Sequence, residues 1–344
     1  MGAGQLTINL DAIVDNWSAL DAQSGAGVET AAVIKADAYG LSAQKAGPKL
    51  KAAGVQTFFV ATAGEGKALR PVVGDADIFV FSGHMEGDSG VLESADLIPL
   101  LNSPEQVTRH FSRMAGKPFG VQLDTGMNRL GMEAGDWTAL SDELMTAGPR
   151  LVMSHLACAD DPDHPMNAQQ LRTFRDMTDG IAHRRSLAAT GGTLLGPEYH
   201  FEMTRPGIGL YGGLPFKDAT PVVRLDLPVI QTRIVRPFET VGYGNTWQAT
   251  VESCIATVSA GYADGLIRAM GPNAQLFAGD VACPVAGRVS MDLITVDVTH
   301  LAEVPEHLTI LGPGQGVDAL ADAAGTIGYE VLTSLGSRYE RSYQ

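Results

Sequence analysis

A lysine directly follows a short apolar run near the start of the chain. The run is Ala32–Ile34, the lysine is Lys35, and the segment Ala36–Gly40 comes after it. If the run forms the first strand of an α/β barrel, Lys35 lies at the carboxyl end of that strand, where such barrels carry their catalytic residues. A lysine that is partly withdrawn from water there can form a Schiff base with an aldehyde. The motif therefore predicts carbonyl chemistry at Lys35, with an ordinary surface lysine at a strand end as the alternative.

A glycine-rich segment near the middle of the chain is the second candidate. Gly207, Gly209 and Gly212 match the pattern G-x-G-x-x-G. A dinucleotide-binding motif should follow a strand and open a helix, whereas a β-like pattern follows here. We favour an eighth barrel strand, Gly207–Tyr211, with the backbone N–H groups near Gly207 and Ile208 facing a phosphate. A dinucleotide site is the less favoured alternative.

Three further motifs complete the set of candidates. Gly261–Gly265 is typical of a turn that displays Tyr262. Gly287–Asp292, which contains Met291, is a polar insertion between two strand-like runs, and Leu123–Gly131 stands at the end of the fifth apolar run. Taken singly, each motif is weak evidence, because a turn with an aromatic neighbour is common.

The elements that would position these residues come in two patterns. Up to about residue 213, apolar runs alternate with helix-like segments. The eight runs are Ala31–Ile34, Val55–Ala61, Asp77–Phe81, Asp96–Leu101, Pro118–Leu123, Arg150–His155, Ser186–Thr190 and Gly207–Tyr211. The helix-like segments are Leu41–Ala53, Pro104–Met114, Thr138–Thr146 and Pro165–Arg184, after a lead-in helix over Ile8–Ala22. Eight strand–helix units predict an α/β fold with a (β/α)8 TIM-like barrel over residues 8–213, and an open doubly wound sheet is the competing arrangement.

Helix caps are expected at several of these starts. Asn9 or Asp11 would cap the lead-in helix, Ser42 the second helix, and Ser103 the helix that begins at Pro104, a favoured first helical residue.

The second pattern covers residues 214–344. Its apolar–polar alternation predicts a mainly antiparallel β domain, to which residues 1–7 can add a strand. The runs are Val222–Leu227, Val229–Val235, Glu252–Ser259, Asp280–Val285 and Leu293–Val298. The tail, Ala319–Arg341, is expected to close with a helix.

Composition excludes several classes of function. The chain has 344 residues and a formal net charge of −15, which disfavours binding to nucleic acid or to an anionic membrane surface. No signal peptide is visible and no apolar run reaches the ~18 residues of a membrane span, so we expect a cytoplasmic protein. Its three cysteines give no disulfide framework. The segment that holds Cys158 and His164 has irregular spacing, and we expect a solvated loop and no metal there.

Together, the five motifs resemble those of alanine racemase, a pyridoxal-phosphate (PLP) enzyme family with an N-terminal barrel and a C-terminal β domain. They occur in the family's order over nearly the whole chain. The resemblance implies interconversion of L- and D-alanine, a step of D-alanine biosynthesis for peptidoglycan, by a homodimer whose active sites are shared between subunits.

The resemblance also implies roles for individual residues. Lys35 would bind PLP covalently and act as the base on one face of the substrate, and Tyr262 from the second subunit would act on the other face. Arg205 would hydrogen-bond the pyridine nitrogen, with His155 beneath the ring. The cofactor phosphate would be held by Tyr39, Thr190, the backbone at Gly207 and Ile208, and Tyr329. Arg129 would lie beside the phenolic oxygen, and the Met291 N–H would bind the substrate carboxylate.

Two positions depart from the family's pattern. The family commonly has a carbamylated lysine shortly before the Asp-Thr-Gly motif, where this chain has Gln122, which we expect to accept a hydrogen bond from Arg129 instead. In addition, Leu41-Ser42 follows Gly40 where the family usually shows a His-Gly pair.

Three alternatives use related scaffolds. The first is an amino-acid racemase of broader range that includes serine. The second is a decarboxylase of the ornithine type, which places a glutamate at the pyridine nitrogen, so Arg205 argues against it. The third is a non-catalytic PLP-binding protein, which shares the barrel but lacks a β domain.

Overall fold

Two compact units make up the chain. The computed structural model describes residues 4–344. One unit, here called the barrel unit, comprises Ile13–Leu210 and Pro215–Asp218. The C-terminal unit comprises the described residues 4–12, together with Tyr211–Leu214 and Ala219–Gln344.

The barrel unit is built on parallel strands that alternate with helices. The first strand of the chain, β1 (Gln5–Ile8), lies in the C-terminal unit, and the barrel begins after it. Its strands are β2 (Glu29–Thr30), β3 (Ala32–Val33), β4 (Thr57–Val60), β5 (Asp77–Val80), β6 (Ile98–Leu101), β7 (Gly120–Gln122), β8 (Val152–Met153), β9 (Arg185–Ser186) and β10 (Met203–Thr204). Strands β3 to β9 form one parallel sheet in chain order.

The eighth position of the barrel is filled by β10, which pairs in parallel with β2. On one side the N–H of Arg205 donates to the carbonyl of Ala188 at 2.8 Å, and on the other the N–H of Ala31 donates to the carbonyl of Thr204 at 2.9 Å. These bonds connect the two ends of the sheet. The predicted (β/α)8 barrel is confirmed.

The predicted eighth strand itself was placed wrongly. Gly207–Tyr211 does not extend along a neighbouring strand, because Ile208–Tyr211 forms a 3-10 helix. The N–H groups of Gly207 and Gly209 both donate to the Thr190 hydroxyl, and these bonds turn the backbone away from the sheet. An apolar run of four or five residues does not distinguish a strand from such a turn.

The helices of the barrel unit lie between its strands. They are α1 (Leu10–Gln23), α2 (Lys35–Tyr39), α3 (Ala43–Ala53), α4 (Ala63–Val73), α5 (Ser89–Ser94), α6 (Pro104–Arg113), α7 (Ala134–Ala147), α8 (Pro165–Thr178) and α9 (Thr190–Leu195). The five predicted helices are all present with shifted ends, whereas the short helices α2, α5 and α9 and the longer α4 were not predicted.

The helix caps agree with the sequence in two of three cases. The Asn9 side chain accepts from the N–H of Ala12, and the Ser103 side chain accepts from the N–H of Gln106. Ser42 is not a side-chain cap. Its backbone carbonyl accepts from the N–H of Lys45, and the Asp37 carboxylate accepts from the N–H of Ala43.

The C-terminal unit is mainly antiparallel. Its elements are β1, β11 (Val223–Val235), β12 (Thr240–Val241), β13 (Trp247–Gln248), β14 (Ser253–Val258), β15 (Gln275–Ala278), β16 (Val281–Pro284), β17 (Ile294–Asp297), β18 (His307–Leu311), α10 (Val317–Ala324), α11 (Gly328–Ser334) and β19 (Glu340–Tyr343). The long strand β11 connects the other strands into one sheet, because it pairs with β1, β14 and β18. The two runs predicted on either side of Pro228 are therefore one strand.

Both ends of the chain belong to this sheet. Strand β1 pairs antiparallel with β11 and parallel with β19, so the residues up to Ala12 group with the C-terminal unit, whereas the predicted barrel domain starts at residue 8. Residues 1–3 of the predicted N-terminal strand lie outside the described residues. The tail forms two short helices and a strand rather than one helix, since Gly325 ends α10 in a left-handed conformation.

None of the helices within residues 4–344 has both the length and the apolar character needed to cross a bilayer.

Candidate active site

Lys35 begins a turn of unusual backbone conformation at the carboxyl end of β3. The four residues Ala36–Tyr39 all have φ between 52° and 56°, a left-handed conformation that costs a non-glycine residue roughly 1–2 kcal/mol. Bonds from the N–H of Ala38 to the Ile34 carbonyl and from the N–H of Gly40 to the Ala36 carbonyl hold the turn. Backbone strain of this kind persists where the surrounding structure enforces it, and it is often found at functional sites.

The Lys35 amine lies in a cationic and partly aromatic environment. Its Nζ is 5.6 Å from the centroid of the Phe81 ring. Burial, followed by the positive charges of Arg129 and Arg205, lowers the pKa of Lys35 from its ordinary value, and Glu65 acts in the opposite direction. A lowered pKa increases the fraction of neutral amine near neutral pH, which is the form that acts as nucleophile or base.

Arg205 is buried and is held entirely by neutral groups. Its Nε donates to the Ser186 hydroxyl at 2.8 Å, and Nη2 donates to the carbonyls of Ser154 at 2.6 Å and Leu187 at 3.3 Å. Burial lowers the pKa of Arg205 to about 9, so the guanidinium is charged at neutral pH. Its Nη1 has no hydrogen-bond partner in the part of the chain that the structure describes, and it is free to bind a ligand.

His155 is a neutral group among these cations. Desolvation, followed by the charges of Arg205, Arg129 and Lys35, lowers the pKa of His155 to about 3. Its backbone carbonyl accepts from the Gln170 side chain at 2.9 Å. The charges of Arg205, Arg129 and Lys35 all act on His155, and the positive charge of this group of side chains suits an anionic ligand.

A second group of predicted residues lies around Thr190. The buried hydroxyl of Thr190 accepts from the N–H groups of Gly207 at 3.0 Å and Gly209 at 3.2 Å. A Cβ at Gly207 would overlap the Tyr39 hydroxyl, so these two residues are in close approach. The N–H of Ile208 has no acceptor within residues 4–344, whereas that of Gly207 is engaged by Thr190. Hydroxyl groups and one open N–H are the donors that phosphate oxygens require.

Gln122 does not bind Arg129 as expected. Its amide nitrogen donates to the carbonyl of Leu130 at 3.1 Å, and its buried oxygen has no partner among the described residues. Arg129 is exposed and donates no hydrogen bond within the described ranges. The Gln122 oxygen, which the expected brace would use as its acceptor, is thus not engaged by Arg129.

Tyr262 and Met291 lie together in the C-terminal unit. The N–H of Tyr262 donates to the Ser290 carbonyl and the N–H of Ala263 donates to the Met291 carbonyl, both at 3.0 Å. A Cβ at Gly261 would overlap both carbonyls, so glycine permits this contact between the two motifs. The Tyr262 side chain is 43% exposed.

Arg338 joins the same two motifs. It donates two bonds to the Asp264 carboxylate, at 2.6 and 2.8 Å, and one to Asp292 at 2.8 Å. Asp264 also accepts from the N–H of Gly261 at 2.9 Å. The turn that carries Tyr262 and the loop that carries Met291 are thus tied through one guanidinium, which is well suited to bidentate contacts.

The remaining predicted residue, Tyr329, lies in α11 of the C-terminal unit and is partly buried. Sequence reasoning missed Arg338, Ser186 and Glu65. The pair Thr62–Glu65 has the spacing of a helix cap and could have been noticed, whereas no local signal links Arg338 to Asp264, 74 residues away. No group of three or more His, Cys, Asp or Glu side chains that could hold a metal ion was found within residues 4–344.

Comparison with known proteins gives consistent matches over the whole chain. The family models described as alanine racemase, N-terminal domain, and alanine racemase, C-terminal domain, match residues 8–215 and 222–343. A relative from Cereibacter sphaeroides (strain ATCC 17029 / ATH 2.4.9), named alanine racemase, is 62% identical over 344 residues, which is 100% of this chain and 99% of the relative. A relative of the same name from Rhodospirillum rubrum is 47% identical over 98% of this chain and 95% of the relative.

Solved structures agree with the sequence matches. The crystal structure of alanine racemase from Bartonella henselae with covalently bound pyridoxal phosphate superposes with a TM-score of 0.94 at 33% identity, covering 100% of both chains. The biosynthetic alanine racemase from Pseudomonas aeruginosa gives the same TM-score, identity and coverage. The chain therefore belongs to the alanine racemase family.

Proposed function

We propose that this protein is a PLP-dependent alanine racemase that interconverts L- and D-alanine by a two-base mechanism. The observation that carries the proposal is the partly buried Lys35 at the end of the first barrel strand, with its pKa lowered and with Arg129, Arg205 and His155 around it. The family match over nearly the full chain supports the same reaction.

The barrel residues fit PLP. Lys35 would bind the aldehyde carbon, and the open Nη1 of Arg205 would hydrogen-bond the pyridine nitrogen. The neutral His155 ring would pack beneath the cofactor. The phosphate would be held by the hydroxyls of Tyr39, Thr190 and Tyr329 and by the N–H of Ile208. The close approach of Gly207 to Tyr39 would shape this end of the site. When bound, PLP withdraws electrons from the amino acid and makes its α-hydrogen acidic.

Two opposed groups on this chain would move the proton. In the L to D direction one base takes the Cα proton from one face and the other returns a proton to the opposite face, because one group cannot reach both faces of a planar carbon. Lys35 Nζ and the Tyr262 hydroxyl are proposed for these roles, with Tyr262 acting on the face opposite Lys35. Each turnover leaves one group protonated and the other deprotonated, so they exchange roles in the reverse direction.

Two groups would act at the substrate end of the site. Arg129, which is exposed and makes no other hydrogen bond in the described chain, would lie beside the phenolic oxygen of the cofactor. The N–H of Met291 would bind the carboxylate of alanine.

A homodimer with shared sites is part of the proposal. The C-terminal unit exposes large apolar side chains along β11 and the segment after it, including Ile234 and the 81% exposed Phe238. Exposed apolar surface of this kind is typical of an interface with another protein copy. Cytoplasmic location and a role in supplying D-alanine for peptidoglycan stay predictions.

The direct test is reconstitution of the purified chain with PLP. We expect an absorption band near ~420 nm that borohydride removes, since the cofactor would be bound to Lys35 as a Schiff base. L-alanine should then yield D-alanine, measured by chiral chromatography, and L-serine serves as the comparison substrate. A band without D-alanine formation would indicate a PLP-binding protein rather than a racemase.

Replacing Arg338 with alanine should weaken the support of the Tyr262 turn. The buried Asp264 carboxylate would lose its bonds from Arg338 and keep the bond from the N–H of Gly261. Asp292, in the Met291 loop, would lose the guanidinium that it shares with Asp264. We expect kcat to fall by about tenfold or more, because displacement of a general base by an ångström carries a penalty of that order or larger.

Arg224→Ala is the matched control for this variant. Arg224 also makes a two-point contact with a carboxylate, that of Asp226, in the same unit, but it has no bond to either motif. Racemase activity measured beside thermal unfolding should separate the two variants. Equal losses of kcat in the two variants would show that Arg338 does not act by holding the turn that carries Tyr262.

A further inference from the structure

The carboxylate of Glu65 connects the ends of two neighbouring barrel strands. Its Oε2 accepts from the N–H of Ala61, directly after β4, at 2.7 Å. Its Oε1 accepts from the N–H of Ala36, the residue after Lys35, at 3.1 Å. Thr62 caps α4 by accepting from the N–H of Glu65, which keeps the side chain at the first turn of the helix. One carboxylate is thus fixed between the helix start and the lysine turn.

An equivalent bridge two strands further along the sheet shows what is specific to Glu65. At the start of α6, Ser103 is the cap and the Gln106 oxygen accepts from the N–H of Asn102, directly after β6. The Gln106 nitrogen then donates to the carbonyl of Ser82, after β5. There the second target is a carbonyl, so an amide suits both contacts.

At the lysine turn the second target is an N–H group instead. In the left-handed turn Ala36–Tyr39, the N–H of Ala36 points to the start of α4. Both atoms at the end of the side chain of residue 65 must therefore accept a hydrogen bond. A glutamine there would place an NH2 group against the N–H of Ala36. Only a carboxylate satisfies both N–H groups at once, and it brings a negative charge.

We propose that Glu65 is a positioning residue for Lys35, which fixes the left-handed turn behind the lysine and places a negative charge at the start of that turn. The inference rests on the proposed function insofar as Lys35 is the cofactor-binding lysine. The other groups that act on the amine are the cations Arg129 and Arg205, with neutral His155 nearby. Glu65 thereby limits how far these cations depress the basicity of Lys35, keeping it able to accept the substrate proton.

The test is the titration of Lys35 in the cofactor-free full chain. Pulse labelling with acetic anhydride over a range of pH, followed by peptide mass spectrometry, gives the midpoint at which this lysine becomes reactive. In Glu65→Gln we expect the midpoint to move down by about half a unit to one unit, which is a three- to tenfold faster labelling below the midpoint, because a nearby opposite charge is lost. Glu65→Ala, which lets water reach both N–H groups, should move it in the same direction and decides the question if the glutamine variant does not fold.

Two controls separate positioning from general stability or charge. Gln106→Leu removes the equivalent bridge at α6 and should lower the melting temperature without moving the Lys35 midpoint. Glu105→Gln removes one exposed charge at the start of the same helix and should change neither. A Lys35 midpoint that stays in place or rises when residue 65 loses its charge overturns the proposal. Because labelling needs neither PLP nor turnover, a wild-type protein that fails to racemise alanine would defeat the proposed function and leave this result standing.

Discussion

Neither Lys35→Ala nor Tyr262→Phe is expected to racemise alanine at a useful rate, yet a mixture of the two should. The lysine variant loses both the covalent attachment point and one base, so a fall of at least ~10⁴-fold is expected. The tyrosine variant loses the second base and should fall by about 10²–10⁴-fold. If each site combines Lys35 of one subunit with Tyr262 of the other, a mixed dimer contains one intact site and one doubly damaged site.

Random exchange of subunits would make half of the dimers mixed, so about a quarter of the wild-type sites should be restored. The control is Lys35→Ala mixed with the double variant Lys35→Ala/Tyr262→Phe, since no pairing of these chains gives an intact site. Subunit exchange is followed by native mass spectrometry and activity by D-alanine formation. Complete exchange without any recovery would mean that both bases of a site come from one chain, or that one of them is misassigned.

The order of elements and the lysine could be predicted because their signals are local. Six of the apolar runs became barrel strands, and Lys35 follows the first of them. The seventh run, Ser186–Thr190, overlaps β9 only at Ser186, and Thr190 begins α9. The eighth run failed because the bonds that bend it come from the Thr190 side chain, some 17 residues away in the chain. Local apolar content contains no information about such a partner.

The supporting residues of the site were harder to predict for the same reason. The resemblance implied a role for Arg205, but its setting depends on the hydroxyl of Ser186 and on carbonyls that meet it only in the closed barrel. For Gln122 the residue type suggested an acceptor for Arg129, but its nitrogen donates to the Leu130 carbonyl and its oxygen has no partner among the described residues. Residue types indicate the chemistry, whereas hydrogen-bond partners follow from the tertiary contacts.

Replacing Arg205 with glutamate should change the outcome of the reaction as well as its rate. The guanidinium keeps its proton at neutral pH, since its pKa is about 9, and it therefore only hydrogen-bonds the pyridine nitrogen in the proposed site. A buried carboxyl has a raised pKa and can pass its proton to that nitrogen. The deprotonated α-carbon would then be longer-lived, and the proton would be added more often to the cofactor's aldehyde-derived carbon than to the α-carbon. Hydrolysis would then release pyruvate in place of D-alanine and leave the amino group on the cofactor.

We expect racemisation to fall by about 10²–10³-fold and the fraction of turnovers that release pyruvate to rise. Glutamate also leaves the Ser154 and Leu187 carbonyls facing a group with at most one proton to donate, where arginine donates to both, so a loss of stability must be separated from the chemical effect. Arg205→Lys is the matched variant for this purpose. It keeps a cation and loses the planar fork, so it should be slow and less stable but should not raise the pyruvate fraction. Pyruvate is measured with lactate dehydrogenase and D-alanine by chiral chromatography in the same reaction. If the glutamate variant folds, binds PLP and partitions as the wild type does, the arginine does not control where the proton returns.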